Sequence, residues 1–304
     1  MKNLSIPGIS SALIAMILWG TAGTAQSFAK NISPFWIGAL RLMLACLIFH
    51  SICYFFKRTT AASNASTTTP QPIPYNKTYW KSIAISGLSI GLFNLAFFTG
   101  VNLTGIAIGT ITIIGSSPIW AGLLQAVIMR QPPSRLWWAG TFCAIMGGVW
   151  MIMMQASSWQ INYMGLTICL SGGFCYALYT ITSKRLVSTN SPLYVTTHTF
   201  SVAALVAVST AFITTGLPTI TLGNLGIIVY LAVFTTCIAY LLYTNALKTI
   251  SAPTGVALTL LEPVTAFVLA IFVVKEPINM LAIIGLCLIL IGLALVLRSE
   301  MQKT

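Results

Sequence analysis

The 304-residue chain is 57% hydrophobic and only 6% charged, with a net charge of +12. An average soluble globular protein carries roughly 25% charged residues, so a water-soluble domain built around one core is excluded. The basic excess is spread over separate short segments with no recognisable binding module, which excludes nucleic acid as a partner.

Ten apolar stretches follow in chain order, over 8–28, 34–56, 83–101, 106–128, 135–154, 163–183, 193–213, 225–245, 252–273 and 279–297. Each comes close to the ~20 residues that a bilayer-spanning helix requires, which predicts an all-α polytopic membrane protein with ten transmembrane helices in a lipid bilayer. Unbroken apolar runs are not the short alternating strands of an outer-membrane barrel. The first run is too long for a signal peptide, lacks a convincing cleavage site and leads directly into further spans. The Ser/Thr/Asn/Pro-rich stretch from Thr59 to Thr78 reads as a flexible linker.

With a cytoplasmic N-terminus, the inner loops and both tails carry Lys2, Lys57, Arg58, Lys77, Lys81, Arg130, Arg135, Lys184, Arg185, Lys248, Arg298 and Lys303, and the outer loops only Lys30 and Lys275. This positive-inside bias predicts both termini in the cytoplasm of a bacterium, with the chain in its inner membrane. The seven cysteines all fall inside predicted helices and none forms a CxxC pair, so packing is expected of them, with no metal site and no cofactor. Neither a P-loop nor an HExxH motif is present, and no clustered His/Asp set or nucleophile–base spacing suggests an enzyme.

The chain repeats itself. SSPIWAGLLQAVIMRQPPSRL from Ser116 lines up with LEPVTAFVLAIFVVKEPINML from Leu261, setting Pro118 opposite Pro263 and Pro132 opposite Pro277. The segments that follow, AGTFCAIMGGVWMIM and AIIGLCLILIGLALV, are also alike, and SPFWIGALRLMLA at Ser33 faces SPLYVTTHTFSVA at Ser191. Two halves, 1–156 and 157–304, of five helices each are expected. An odd number of spans per half gives the halves opposite orientations, the inverted-repeat plan of secondary transporters.

Trp19 and Gly20 in the first helix, the ALRLMLA segment carrying Arg41 in the second, and LEPVTAFVLAIFVVKEP from Leu261 to Pro277 resemble the EamA family of the drug/metabolite transporter superfamily. The resemblance covers essentially the whole chain. It implies ten helices with cytoplasmic termini and, by comparison with characterised relatives, export of amino acids or related small metabolites. Other branches move other metabolites or act in uptake. Trp19, Arg41, Pro118, Glu262, Pro263 and Glu276 stand at the family's characteristic positions, but Met129, Arg130 and Gln131 replace the acidic residue often found near the end of the fourth helix.

Candidate site residues follow from depth and chemistry. Glu262, near the middle of the ninth helix, would cost about 2.5 kcal/mol or more facing lipid as a charge, so it should face a cavity, pair with a base or be protonated. It is expected to bind a substrate ammonium or to take up a coupling proton, or else to brace Pro263 at a helix interface. Pro118 and Pro263 remove backbone hydrogen bonds at matched depths, which marks either a midplane site or plain kinks. Arg41, about 10 Å below the outer face, either snorkels outward or holds a substrate carboxylate. His50 and His198 read as polar packing or as titrating groups. Asn94, Gln125, Tyr176, Tyr179, Tyr240, Tyr243 and Asn245 offer hydrogen bonds and ring faces to a small zwitterion, with Trp19 closing the pocket. The expected function is a secondary carrier exporting amino acids or related metabolites by alternating access, with protons as a coupling partner. Uptake or exchange of a nucleotide, sugar or cofactor is the alternative, and a channel, a scaffold or another non-transporting membrane protein a third.

Overall fold

In a computed structural model of the protein, the described residues are 6–63, 76–153, 162–218, 220–274 and 280–302. All regular structure among them is helical: α1 (Ile6–Ser27), α2 (Pro34–Ser63), α3 (Lys77–Thr104), α4 (Ile106–Ile128), α5 (Arg135–Met153), α6 (Tyr163–Val187), α7 (Pro192–Thr215), α8 (Leu222–Ala246), a composite α9 beginning at Ala252, and α10 (Met280–Met301). Nine of these runs are long and apolar enough to cross a membrane among the described residues, and α5 adds a tenth run of 19 residues. At 1.5 Å per residue α5 spans about 28 Å, close to the hydrocarbon thickness. The chain is a multi-pass membrane protein.

The observed helices reproduce the ten apolar stretches, with two revisions at the Thr59–Thr78 linker. Helix α2 continues through Thr59 to Ser63 and α3 begins at Lys77, capped by the Asn76 side chain, which accepts from Thr78 N at 3.1 Å. Polar residues beyond the apolar run extend these helices, because backbone hydrogen bonding does not need an apolar side chain once a helix is nucleated. The middle of that linker, and Lys2, Lys275, Glu276, Pro277 and Lys303, lie outside the described residues.

Short connections make successive helices antiparallel. The tightest is Gly105, between α3 and α4, whose φ of 84° is accessible at little cost only to glycine. One end of the bundle therefore gathers Arg130, Arg135, Lys184, Arg185, Lys248 and Arg298, and is called the basic end below; the opposite end has Lys30.

Helices α5 and α10 pack along one another through glycines. A Cβ added at Gly147 would meet Gly285 O at 2.5 Å, and one at Gly292 would meet Gly140 O at 2.5 Å. Where hydrocarbon surrounds the helices, association comes from such close backbone approach and not from a hydrophobic drive. Gly292→Val should force the two helices apart and cost about 1–3 kcal/mol, read as a fall in the thermal midpoint of the detergent-solubilised protein. Gly23→Ala, whose added Cβ meets nothing within 4 Å, should leave the midpoint unchanged. Equal behaviour of the two variants would refute this packing.

Candidate functional site

The two proline helices respond differently to the missing amide. Helix α4 runs through Pro118 as one helix; the Ser116 and Ser117 hydroxyls donate to Ile113 O at 3.2 and 2.7 Å, and not to Ile114 O, the carbonyl that residue 118 would otherwise bond. Helix α9 instead changes type along its length: α over Ala252–Ala257, 3-10 over Leu258–Leu261, α again over Glu262–Leu269, and π over Ala270–Val274. Pro263 has no N–H for the Thr259 carbonyl. The 3-10 turn brings Glu262 N–H to that carbonyl in its place, so the Thr259 carbonyl keeps a partner. The turn also sets Glu262 in the first turn of the following α segment, where the helix dipole favours a carboxylate.

Helix α8 is irregular beside it. Residues Leu231–Ile238 form a π segment, and Thr235 and Thr236 turn their hydroxyls back to Leu231 O at 2.8 and 2.9 Å. Helix α1 packs against both irregular helices. Gly20 permits the approach: a Cβ there would meet Glu262 O at 2.9 Å. The neighbouring Trp19 donates its indole N–H to Thr235 O at 2.9 Å, across to the π segment.

Around Trp19 lies a ring cluster. Its centroid is 4.7 Å from Tyr240, 5.2 Å from Tyr243 and 6.4 Å from Tyr176, and Tyr179 stands 6.0 Å from Tyr176. All five rings are buried. Tyr243 shares a 3.1 Å hydrogen bond with the Thr180 hydroxyl, whereas the Tyr176 hydroxyl is buried with no partner among the described residues.

Two opposite charges meet at this cluster. Arg41 turns inward from α2, with Nη2 donating to Asn94 Oδ1 at 3.4 Å and Nε buried without a partner, so it does not snorkel to the outer face. Glu262 and Tyr240 lie within electrostatic reach of it, yet Arg41 and Glu262 form no direct ion pair. An unsatisfied buried donor, Arg41 Nε, within electrostatic reach of a carboxylate suits a small polar solute.

Packing on either side of this level is unequal. Toward the basic end, every residue of α9 from Ala252 to Leu260 is buried. Toward the other end, no residue of α1 from Thr21 to Ser27 is buried on any face, and α9 from Val264 to Leu269 buries only Phe267. Helix α9 is thus packed closely on the basic side of Glu262, and α1 and α9 are packed less closely on the other.

The sequence pattern of the EamA-like transporter family matches residues 6–154 and, a second time, 163–298. The chain belongs to the EamA-like transporter family. This EamA-like transporter, a member of the drug/metabolite transporter superfamily, is a small-molecule transporter. It is 29% identical to the uncharacterized transporter YwfM of Bacillus subtilis over 96% of its own length and 94% of YwfM. It is 24% identical to the threonine/homoserine exporter RhtA of Salmonella typhimurium, over 95% and 93% of the two chains. A crystal structure superposes on it with a TM-score of 0.79, covering 97% of this chain and 98% of the other at 16% identity, which establishes a shared fold.

Of the residues singled out in the transporter's sequence, Trp19, Arg41, Asn94, Tyr176, Tyr179, Tyr240, Tyr243 and Glu262 come together, with Pro263 beneath Glu262. Gln125 and Asn245 do not join them. Gln125 donates to Gln131 O at 3.0 Å in the turn after α4, at the basic end, and the Asn245 side chain is exposed near the end of α8. Pro118 is buried within α4. His50 bonds its own helix at Cys46 O, 2.9 Å away, and His198 pairs with the Tyr79 hydroxyl at 3.0 Å. Two rings not foreseen complete the cluster, Phe200 at 4.6 Å from Tyr240 and Phe93 at 5.2 Å from Tyr176. Nothing in the sequence separates these phenylalanines from ordinary packing residues. The Thr235–Thr236 pair, by contrast, was a readable sign of a helix whose hydroxyls bond its own backbone. Trp19→Phe keeps a ring but leaves Thr235 O without its donor, and should cost about 1–3 kcal/mol as a fall in the thermal midpoint. An unchanged midpoint would show that the indole hydrogen bond contributes nothing.

Proposed function

We propose that this EamA-like transporter is a secondary carrier, not an enzyme, that exports an amino acid or related small metabolite by alternating access. The observation that carries the reading is the placement of half-buried Arg41 and Glu262 beside one buried ring cluster without a mutual ion pair. A zwitterion matches the chemistry of these groups: its carboxylate would be bound by the Arg41 guanidinium and its ammonium by Glu262, with the apolar part against Trp19 and the tyrosines. The name of RhtA, a threonine/homoserine exporter, supports the same cargo class. Protons are the coupling partner in this reading, with Glu262 the group that exchanges them.

Alternating access is served by two inverted halves, 1–156 and 157–304. The sequence offset that sets Pro118 opposite Pro263 also sets Gly140 opposite Gly285 and Gly147 opposite Gly292. The contacts run crosswise, Gly147 to Gly285 and Gly140 to Gly292, as a two-fold axis lying in the membrane plane requires. The positive-inside bias supports a basic end facing the cytoplasm of a bacterial inner membrane, with both termini on that side.

The test is efflux from cells preloaded with labelled amino acids, with and without a proton uncoupler. Glu262→Gln should lower efflux roughly ten- to a hundredfold, the loss of a charge-assisted contact. Arg41→Lys keeps the charge but not the planar fork, and should lower efflux less. Wild-type efflux that survives the uncoupler, or a fully active Glu262→Gln, would sink proton coupling through Glu262. Absence of any expression-dependent efflux from a correctly inserted protein would sink the cargo class.

A further inference from the structure

At the basic end, charged side chains sit on the ends of other helices. The Glu300 carboxylate, on the last turn of α10, accepts hydrogen bonds from Ser251 N, from Ser251 Oγ at 2.7 Å and from Thr254 Oγ1 at 2.7 Å, where α9 begins. Lys184 Nζ donates to Leu247 O at 2.6 Å and Lys248 O at 3.4 Å, capping the end of α8, and its charge is attracted to Glu300. Arg185 Nη2 donates to Ile128 O at 2.9 Å, capping the end of α4. Each charge sits where the helix dipole favours it, cations at C-termini and the anion at an N-terminus. Next to Glu300, Ser299 shares a 2.6 Å hydrogen bond with Ser134 at the start of α5.

These contacts surround the buried first half of α9, Ala252–Leu260, which packs on α4, α6 and α10 and separates Glu262 from the basic end. We propose that Glu300, supported by Lys184 and Arg185, is the latch of a gate at the basic end, released when the first half of α9 moves away from α4 and α6. The proposal rests on the alternating-access reading above. A latch of this chemistry suits a gate because it is reversible. Glu300 lies near the end of its helix, where water can replace its hydrogen bonds to Ser251 and Thr254 on opening, so the net difference between closed and open is small. With only three acidic residues in the chain, a carboxylate spent on a helix junction also calls for a use.

The test reads opening directly in the purified full chain in lipid nanodiscs, with its native cysteines replaced. Val256→Cys reports on the gate: Val256 is fully buried just beyond Thr254. Ala144→Cys is the control, equally buried where α5 meets Gly292 of α10. Adding Glu300→Gln should speed labelling of Cys at position 256 by a water-soluble maleimide at least about fivefold, and leave position 144 unchanged. Should Glu300→Gln fail to fold, Lys184→Met, which uncaps the end of α8, should speed labelling at 256 at least about twofold with 144 again unchanged. Labelling at 256 unaffected by either variant would overturn the latch. A parallel rise at 256 and 144 would overturn it too, by showing general loosening. An inactive wild type in the efflux assay would defeat the transport reading alone, since the labelling rates do not depend on cargo.

Discussion

A carboxylate in the middle of an apolar bundle must find compensation for the water it has lost, and the position of Glu262 constrains much of what surrounds it. A charge at that depth facing lipid costs about 2.5–3.5 kcal/mol, more than one neutral hydrogen bond returns. The compensation comes from three directions. Arg41 supplies opposite charge from α2, steadied by Asn94. The 3-10 turn of α9 sets Glu262 at the start of an α segment, in the favourable field of its N-terminus. Gly20 lets α1 close over the Glu262 backbone and brings Trp19 into the tyrosine cluster.

The helices were legible because hydropathy has no competitor in this chain: unbroken apolar runs of about 20 residues have no other use. Their ends were less so, as the continuation of α2 to Ser63 shows, since helix can outlast its apolar run. Among the site residues, Glu262 stood out as a costly charge at mid-membrane depth, Trp19 and Arg41 through the family resemblance, and Asn94 and the tyrosines as polar or ring-bearing groups inside apolar helices. Gln125 and Asn245 share that chemistry but lie near helix ends, where a polar side chain can serve a turn or face water. Sequence shows that a group is polar, not what it reaches. Glu300 was passed over for a related reason: next to the C-terminus a carboxylate looks solvated, and only the antiparallel return of α10 past the start of α9 buries it.

The two ends of the bundle are fastened by different chemistry. At the basic end, Glu300, Lys184 and Arg185 bind ends of helices through charge-assisted hydrogen bonds. At the other end, neutral ties among the described residues include Trp36 Nε1, which donates to Gly216 O at 2.8 Å, and Asn224, which exchanges hydrogen bonds with the backbone of Lys30. Charge-assisted bonds are roughly twice as strong as neutral ones. The same ordering is visible in the packing, dense from Ala252 to Leu260 and loose along the last turns of α1.

Pro263 then has a more specific part than a kink. The Leu258–Leu261 segment rises about 2.0 Å per residue as a 3-10 helix against about 1.5 Å as an α-helix, so converting its four residues would draw Glu262 about 2 Å toward the basic end and rotate it about the axis. With an ordinary residue at 263, an amide would be available to the Thr259 carbonyl and the α form would be satisfied. Proline has none, and the only amide that serves the carbonyl is that of Glu262, in the 3-10 geometry. The proline thereby fixes the height at which the carboxylate meets Arg41 and the ring cluster. It does so through the backbone, with no contact to cargo required.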